Sequence, residues 1–126
     1  MINFLKSNFL VEEKTPTLLK IKIKPELLLG SVQLLQSNGF ITLSQISCTD
    51  WIEDGIFTLH YILTTEIKNC NLMVSLDINR TNDTLLTLME IFPQSEIMER
   101  DLHEMFGILF VGNPTLHDFA LENWNS

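Results

Sequence analysis

The chain has 126 residues, of which 45% are hydrophobic, and a formal charge of −8. That length suits one domain with a real core, here read as residues 1–126, and an acidic balance argues against nucleic acid or an anionic membrane as direct partner. No apolar run approaches the roughly 20 residues that span a bilayer, and the positive mean hydropathy suggests that part of the apolar surface meets a partner.

Residues 2–10 predict a short amphipathic helix with Phe4, Leu5, Phe9 and Leu10 on its apolar side. Met1 to Leu10 holds one Lys and no cleavage-like end, so no signal peptide is expected. Thr15 to Lys24 alternates, with Leu19, Ile21 and Ile23 opposite Lys20, Lys22 and Lys24. This predicts one half-buried strand with a wet or edge-facing lysine row. Pro25 suits a first helical turn, and Leu27, Leu28, Val32, Leu34 and Leu35 give residues 25–38 a buried stripe that ends at Asn38-Gly39.

Residues 40–51 are rich in strand formers, and Asp54-Gly55 is a two-residue hairpin signal. Residues 56–65 carry apolar side chains on both faces, which predicts a central strand. Lys68-Asn69 turns the chain. Leu72, Val74, Leu76 and Ile78 then alternate with Asn71, Ser75 and Asp77. After a polar turn at Arg80 to Asp83, with Asp83 as cap, residues 84–91 read as a helix carrying Leu85, Leu88, Met89 and Phe92 inward. Strands in a run with helices gathered after them predict an α+β domain: a mainly antiparallel or mixed sheet of four to five strands with helices on one face.

Ile97 to Pro114 is the densest stretch. Met98, Leu102, Met105 and Phe106 recur at helical spacing. Glu96, Glu99, Arg100, Asp101 and Glu104 fill the remaining surface. Ser95 is placed to cap the helix, and Arg100 has Glu96 and Glu104 four residues away on either side, a spacing worth about 0.2–0.5 kcal/mol per exposed pair. Gly107 falls where a left-handed cap would end the helix. Ile108 to Val111 reads as a short buried strand, broken by Gly112, Asn113 and Pro114.

This order of residues resembles the signature of the 30-kDa, NuoC-like subunit family of respiratory NADH:quinone oxidoreductase, shared with energy-converting NiFe hydrogenases. Glu99, Arg100, Glu104, Met105, Phe106, Gly107, Gly112 and Pro114 match it. Asp101 stands where the family usually has Glu, and Asn113 where it usually has His. The Asp50-Trp51 pair and the strand with His60-Tyr61 also correspond. Leu116-His117-Asp118 replaces the basic step usual in respiratory members, which makes the chain more similar to the small subunit of Ech-type hydrogenases.

The resemblance implies a non-catalytic structural subunit with no cofactor of its own. The NiFe centre and iron–sulfur clusters would lie in partner subunits: a hydrogenase-like large subunit, an iron–sulfur small subunit and antiporter-like membrane chains. It implies a peripheral place on the cytoplasmic face of the cell membrane, in the hydrophilic arm. The signature residues Glu99, Arg100, Asp101, Glu104, Met105, Phe106, Gly107, Gly112 and Pro114 become the partner-interface candidates, with a partner's basic groups meeting the carboxylates and Arg100 gripping a partner carboxylate.

The residues themselves offer little catalytic machinery. His103-Glu104 begins like a zinc-protease helix, but Gly107 stands where the second His is required. Glu99 and His103 share a helix face without a third ligand nearby. Cys48 and Cys70 have no metal or redox spacing and read as small buried hydrophobes. The alternative to a structural subunit is a stand-alone binding module or small enzyme using Glu99, His103 and Glu104, and the respiratory complex is the alternative to the hydrogenase.

Overall fold

A computed structural model describes residues 2–65 and 70–116. The first helix, α1, runs from Ile2 to Asn8. Asn8 Nδ2 folds back onto the Phe4 carbonyl at 2.9 Å, and Leu5 is the helix's core anchor. Leu10, expected on the apolar side, is 92% exposed beyond the helix end.

The single strand expected over residues 15–24 is a hairpin. β1 (Val11–Thr15) and β2 (Leu18–Lys22) pair antiparallel. Pro16 has no amide to give to a ladder, so the chain turns there, and Thr15 Oγ1 accepts the Thr17 amide at 3.3 Å. β1 was invisible in the sequence because it is a polar edge strand, exposed at four of its five residues. β2 is therefore not the edge: it pairs on its other side in parallel with β5 (Asn71–Asn79). Leu19 and Ile21 enter the core, as the alternation predicts.

A 3-10 turn over Pro25–Leu27 leads into α2 (Leu28–Ser37). Its buried stripe is Leu28, Val32 and Leu35, narrower than expected, since Leu27 and Leu34 are exposed. β3 (Thr42–Trp51) and β4 (Ile56–Thr64) form the long antiparallel hairpin. The turn between them is a 3-10 segment, Ile52–Asp54, closed by Gly55 at φ 70°, rather than a two-residue turn. The sheet order is β1-β2-β5-β4-β3, so β5 is central and β4 lies beside it. The predicted Lys68-Asn69 turn lies outside the described residues.

Burial alternates strictly along β4. Phe57, Leu59, Tyr61 and Leu63 join Leu72, Val74, Leu76 and Ile78 on one face, and the helical residues Leu5, Val32, Leu35 and Leu102 belong to the same core. This is the expected α+β arrangement. The opposite face is polar: Trp51 Nε1 donates to Thr58 Oγ1 at 2.9 Å, Thr58 to Asp77 at 2.7 Å, and Asp77 meets Lys22 at 2.8 Å. His60 Nδ1 and Ser75 Oγ are 2.7 Å apart on the same face. No described helix is long and apolar enough to cross a membrane.

The helix expected over residues 84–91 does not form. β6 (Thr84–Leu86) instead pairs in parallel with β7 (Leu109–Val111). Leu85, Leu88 and Phe92 do turn inward, but a segment this short is marginal as a helix, and the ladder with β7 takes its backbone groups. Asp83 caps nothing; its carbonyl accepts the Leu109 amide at 2.9 Å. Between β6 and β7 in sequence runs α3 (Ser95–Phe106), which packs on β3 and carries the signature.

Candidate functional site

The signature helix does not present all its charge to solvent. Glu99, expected on the surface, is fully buried. Oε1 accepts the Thr87 hydroxyl at 2.6 Å and the Asn113 amide at 3.1 Å, and Oε2 accepts the Leu88 backbone amide at 2.9 Å. One carboxylate thus fastens α3 to the segment after β6 and to the turn after β7. Burial raises its pKa; the donors Thr87, Leu88 and Asn113 pull the other way, and Ser95, buried without a well-formed hydrogen bond of its own, adds to them. A buried charge persists only when its lone pairs are met in this manner.

Asn113 is the second surprise. It is buried, and besides Glu99 its Nδ2 donates to the Glu96 carbonyl at 3.1 Å while Oδ1 accepts the Thr115 amide at 3.0 Å. The departure from the usual His therefore keeps a donor aimed at Glu99. Gly112, with φ 97°, makes the approach possible: a Cβ there would sit 2.9 Å from Thr87 Cγ2. Gly107 caps α3 in the left-handed region at φ 79°, its amide reaching the His103 carbonyl at 2.8 Å.

Tyr61 lies under this cluster. It is wholly buried, and its hydroxyl has no hydrogen-bond partner. Burial first, then the charge of Glu99, pushes its pKa well above the ordinary tyrosine value. Sequence reading placed His60-Tyr61 in a strand but gave no sign that Tyr61 faces Glu99.

Several expected contacts are absent. Arg100 forms no ion pair with Glu96 or Glu104 among the described residues; Glu96 Oε1 instead accepts the Thr115 hydroxyl, and Arg100 Nε is buried without a partner. Ser95 is the first helical residue rather than the cap, which is Gln94. Met105, assigned to the apolar stripe, is 72% exposed, and Ile97 is 60% exposed two turns away. Asp101, Glu104, Met105 and Ile97 thus share the outward side of α3, with Arg100 half-buried at its margin, while Phe106 packs edge-on against Phe57 at 5.6 Å. Pro114 is exposed beside the turn.

Glu99 and His103 do not converge. Glu99 turns inward, and His103 Nδ1 donates to the Ile108 carbonyl at 2.8 Å. Cys48 and Cys70 are half-buried free thiols; burial and the nearby Asp50 push the Cys48 pKa up to about 11, which leaves it unreactive. Asp50 forks onto Arg80 at 2.8 and 3.1 Å, and that guanidinium lies 5.0 Å from the Phe57 ring centroid. His117, Asp118 and Trp124 lie outside the described residues.

The family model described as the respiratory-chain NADH dehydrogenase 30 Kd subunit matches residues 21–125, which include the whole signature. The chain belongs to this family. Within the 30-kDa subunit family, the NADH-quinone oxidoreductase C subunit of Herpetosiphon aurantiacus is 29% identical over 88 residues, covering 68% of this chain and 52% of that one. Among solved structures, the membrane-bound sulfane sulfur reductase, an archaeal respiratory membrane complex, contains a chain with TM-score 0.83 and 23% identity, covering 89% of this chain and 68% of that one. The trypsin-resistant fragment of Nqo5 gives TM-score 0.77 and 18% identity, covering 90% of this chain and 93% of that one. These two likenesses concern the fold. The chain spans about half the length of several curated relatives it matches.

Proposed function

We propose that this chain is a non-catalytic structural subunit in the hydrophilic arm of a membrane-bound redox complex, docked on its hydrogenase-like large subunit. The observation that carries this reading is the state of Glu99. The most chemically loaded residue of the signature has its carboxylate oxygens taken up by Thr87, Leu88 and Asn113, so it holds the fold rather than a substrate. The outward side of α3 is left for a partner, with Ile97 and Met105 exposed on it and, at its margin, a half-buried guanidinium that has no ion pair among the described residues. Arg and Met are the residue types that protein interfaces favour.

The relatives support the choice of partner. In Proteus mirabilis the matching region is 12% of a longer chain, the fused C/D subunit of NADH-quinone oxidoreductase, 36% identical over 69 residues. A domain fused to another subunit in one organism is a natural neighbour of that subunit where the two are separate. The redox groups, NiFe and iron–sulfur, belong in this reading to the partner subunits.

The energy-converting hydrogenase is favoured over the respiratory enzyme by Leu116-His117-Asp118, which lacks the basic step usual in respiratory members. The respiratory reading is the second one, favoured by the names of the curated relatives. Gentle-detergent purification of the tagged chain from its native membrane, with partners identified by mass spectrometry, tests both. A NiFe large subunit with antiporter-like chains supports the first reading, and NADH-oxidising subunits support the second. A chain recovered alone would sink both.

A further inference from the structure

Among the described residues, no strand pairs with the edge of β6 that faces away from β7. Bonds from the Leu109 amide to the Asp83 carbonyl and from the Thr87 amide to the Val111 carbonyl, both 2.9 Å, turn residues 83 and 87 toward β7. In a parallel ladder the alternate residues direct their amides and carbonyls the other way, so Thr84 and Leu86 offer theirs away from β7. Beside them lies a cleft of about 290 Å³, bounded across from β6 by Pro25, Glu26 and Leu29. A second cleft of about 450 Å³ continues past Met89, Glu90 and Gly112, and Leu29, Leu86 and Val111 line both.

The groove is apolar along its floor and acidic at its ends. Leu86 and Val111 are 53% and 44% exposed. Glu26 lines the first cleft and Glu90 the second, both exposed, and among the described residues no Lys or Arg lines either. A ladder of two strands, each of three residues, is smaller than an independently stable sheet. Its open edge can take another strand through main-chain hydrogen bonds, with alternate side chains seated in the groove.

We propose that this groove binds an extended segment of a partner protein as a third strand on β6, with apolar side chains at alternate positions and a Lys or Arg at each end. The carboxylates of Glu26 and Glu90 select the basic ends, and the net charge of −8 reinforces that choice. The inference rests on the chain being a subunit, but not on which complex it joins.

The test places a photocrosslinking amino acid at Leu86, and separately at Val111, in the full chain expressed in its native membrane. After irradiation the crosslinked peptides are sequenced by mass spectrometry. Both positions should capture one short segment of one partner chain, apolar at alternate residues and flanked by Lys or Arg. Glu26→Lys together with Glu90→Lys should lower the yield about tenfold, while gentle-detergent purification still recovers the partner subunits. The proposal is overturned by no adduct, by an adduct with a second copy or with residues 117–126 of the same chain, by an acidic target segment, or by an unchanged yield in the charge-reversed variant. Partners recovered without a crosslink at either position would remove the groove and leave the subunit reading standing; a chain purified alone would remove both.

Discussion

The side-chain amide of Asn113 lies 3.1 Å from the Glu99 carboxylate, and this contact ties the turn after β7 to the middle of α3. Removing the acceptor takes a partner from three donors: the buried Leu88 amide loses its hydrogen bond, the half-buried Thr87 hydroxyl loses its acceptor, and Asn113 keeps the Glu96 carbonyl alone. Glu99→Ala should therefore destabilise the fold by about 2–4 kcal/mol, read as a fall in the urea midpoint. Glu99→Gln should cost less, because one amide oxygen still accepts from Leu88, and Thr87 can accept as well as donate.

The same group sets a pH dependence. The folded pKa of Glu99 is raised above 4.5 by burial, so the folded state holds this proton more readily than the unfolded chain. The stability that this group contributes is fully present below pH 4.5 and is lost as pH rises through the raised folded value. The stability difference between wild type and Glu99→Gln, measured by urea unfolding from pH 4.5 upward, should thus drift against wild type and then level off. A flat difference would show that the carboxyl has an ordinary pKa.

How much of this was legible beforehand follows from what kind of signal each residue leaves. Leu72, Val74, Leu76 and Ile78 alternate, and one core face was readable from them alone. Gly107 announced its cap because only a left-handed turn calls for glycine at a helix end. Glu99 left no such mark: a carboxylate four residues from a histidine and one from an arginine looks solvated, and it takes Thr87, Leu88 and Asn113, 12, 11 and 14 residues away, to make its burial tolerable. The strand β6 was hidden for a related reason, since its partner β7 lies beyond α3. Polar β1 has no apolar alternation to detect. Tertiary partners, not local propensity, decided each of these.

Tyr61 gives a contrasting test. Its hydroxyl is buried without a partner, so Tyr61→Phe removes no hydrogen bond and relieves the cost of an unmet polar group. The variant should be as stable as wild type or more stable by about 1 kcal/mol, measured by thermal unfolding. A clear loss of stability would mean that a water or an alternative rotamer satisfies the hydroxyl.

Gly112 and Thr87 form a steric pair. Gly112→Ala places a methyl 2.9 Å from Thr87 Cγ2 on a backbone at φ 97°, and should cost about 1–3 kcal/mol. Thr87→Ser removes that methyl but keeps the hydroxyl bonded to Glu99. In the Gly112→Ala background it should recover part of the loss, with the backbone strain remaining. A double-mutant cycle by urea unfolding separates the two: no coupling would mean that strain alone is responsible.

The outward side of α3 tests the docking reading without disturbing the fold. Arg100 forms no ion pair among the described residues, and Met105 projects into solvent. Surface changes away from the core shift stability by roughly 0.5 kcal/mol or less, so Met105→Glu should leave the melting temperature nearly unchanged; Arg100→Ala should not lower it appreciably either, since it breaks no hydrogen bond and removes a buried Nε that has no partner. At an interface the effects differ. An Arg that gains a partner carboxylate, and a Met that fills a partner pocket, typically cost about 1–3 kcal/mol each when lost, enough to strip the large subunit during purification. Quantitative mass spectrometry of the co-purified chains gives the answer. Intact recovery with both variants would mean that α3 faces solvent in the assembly and that the complex grips the chain elsewhere. Loss with either variant at unchanged melting temperature would identify the outward half of the signature as the contact, and the inward half, Glu99 with Asn113, as its support.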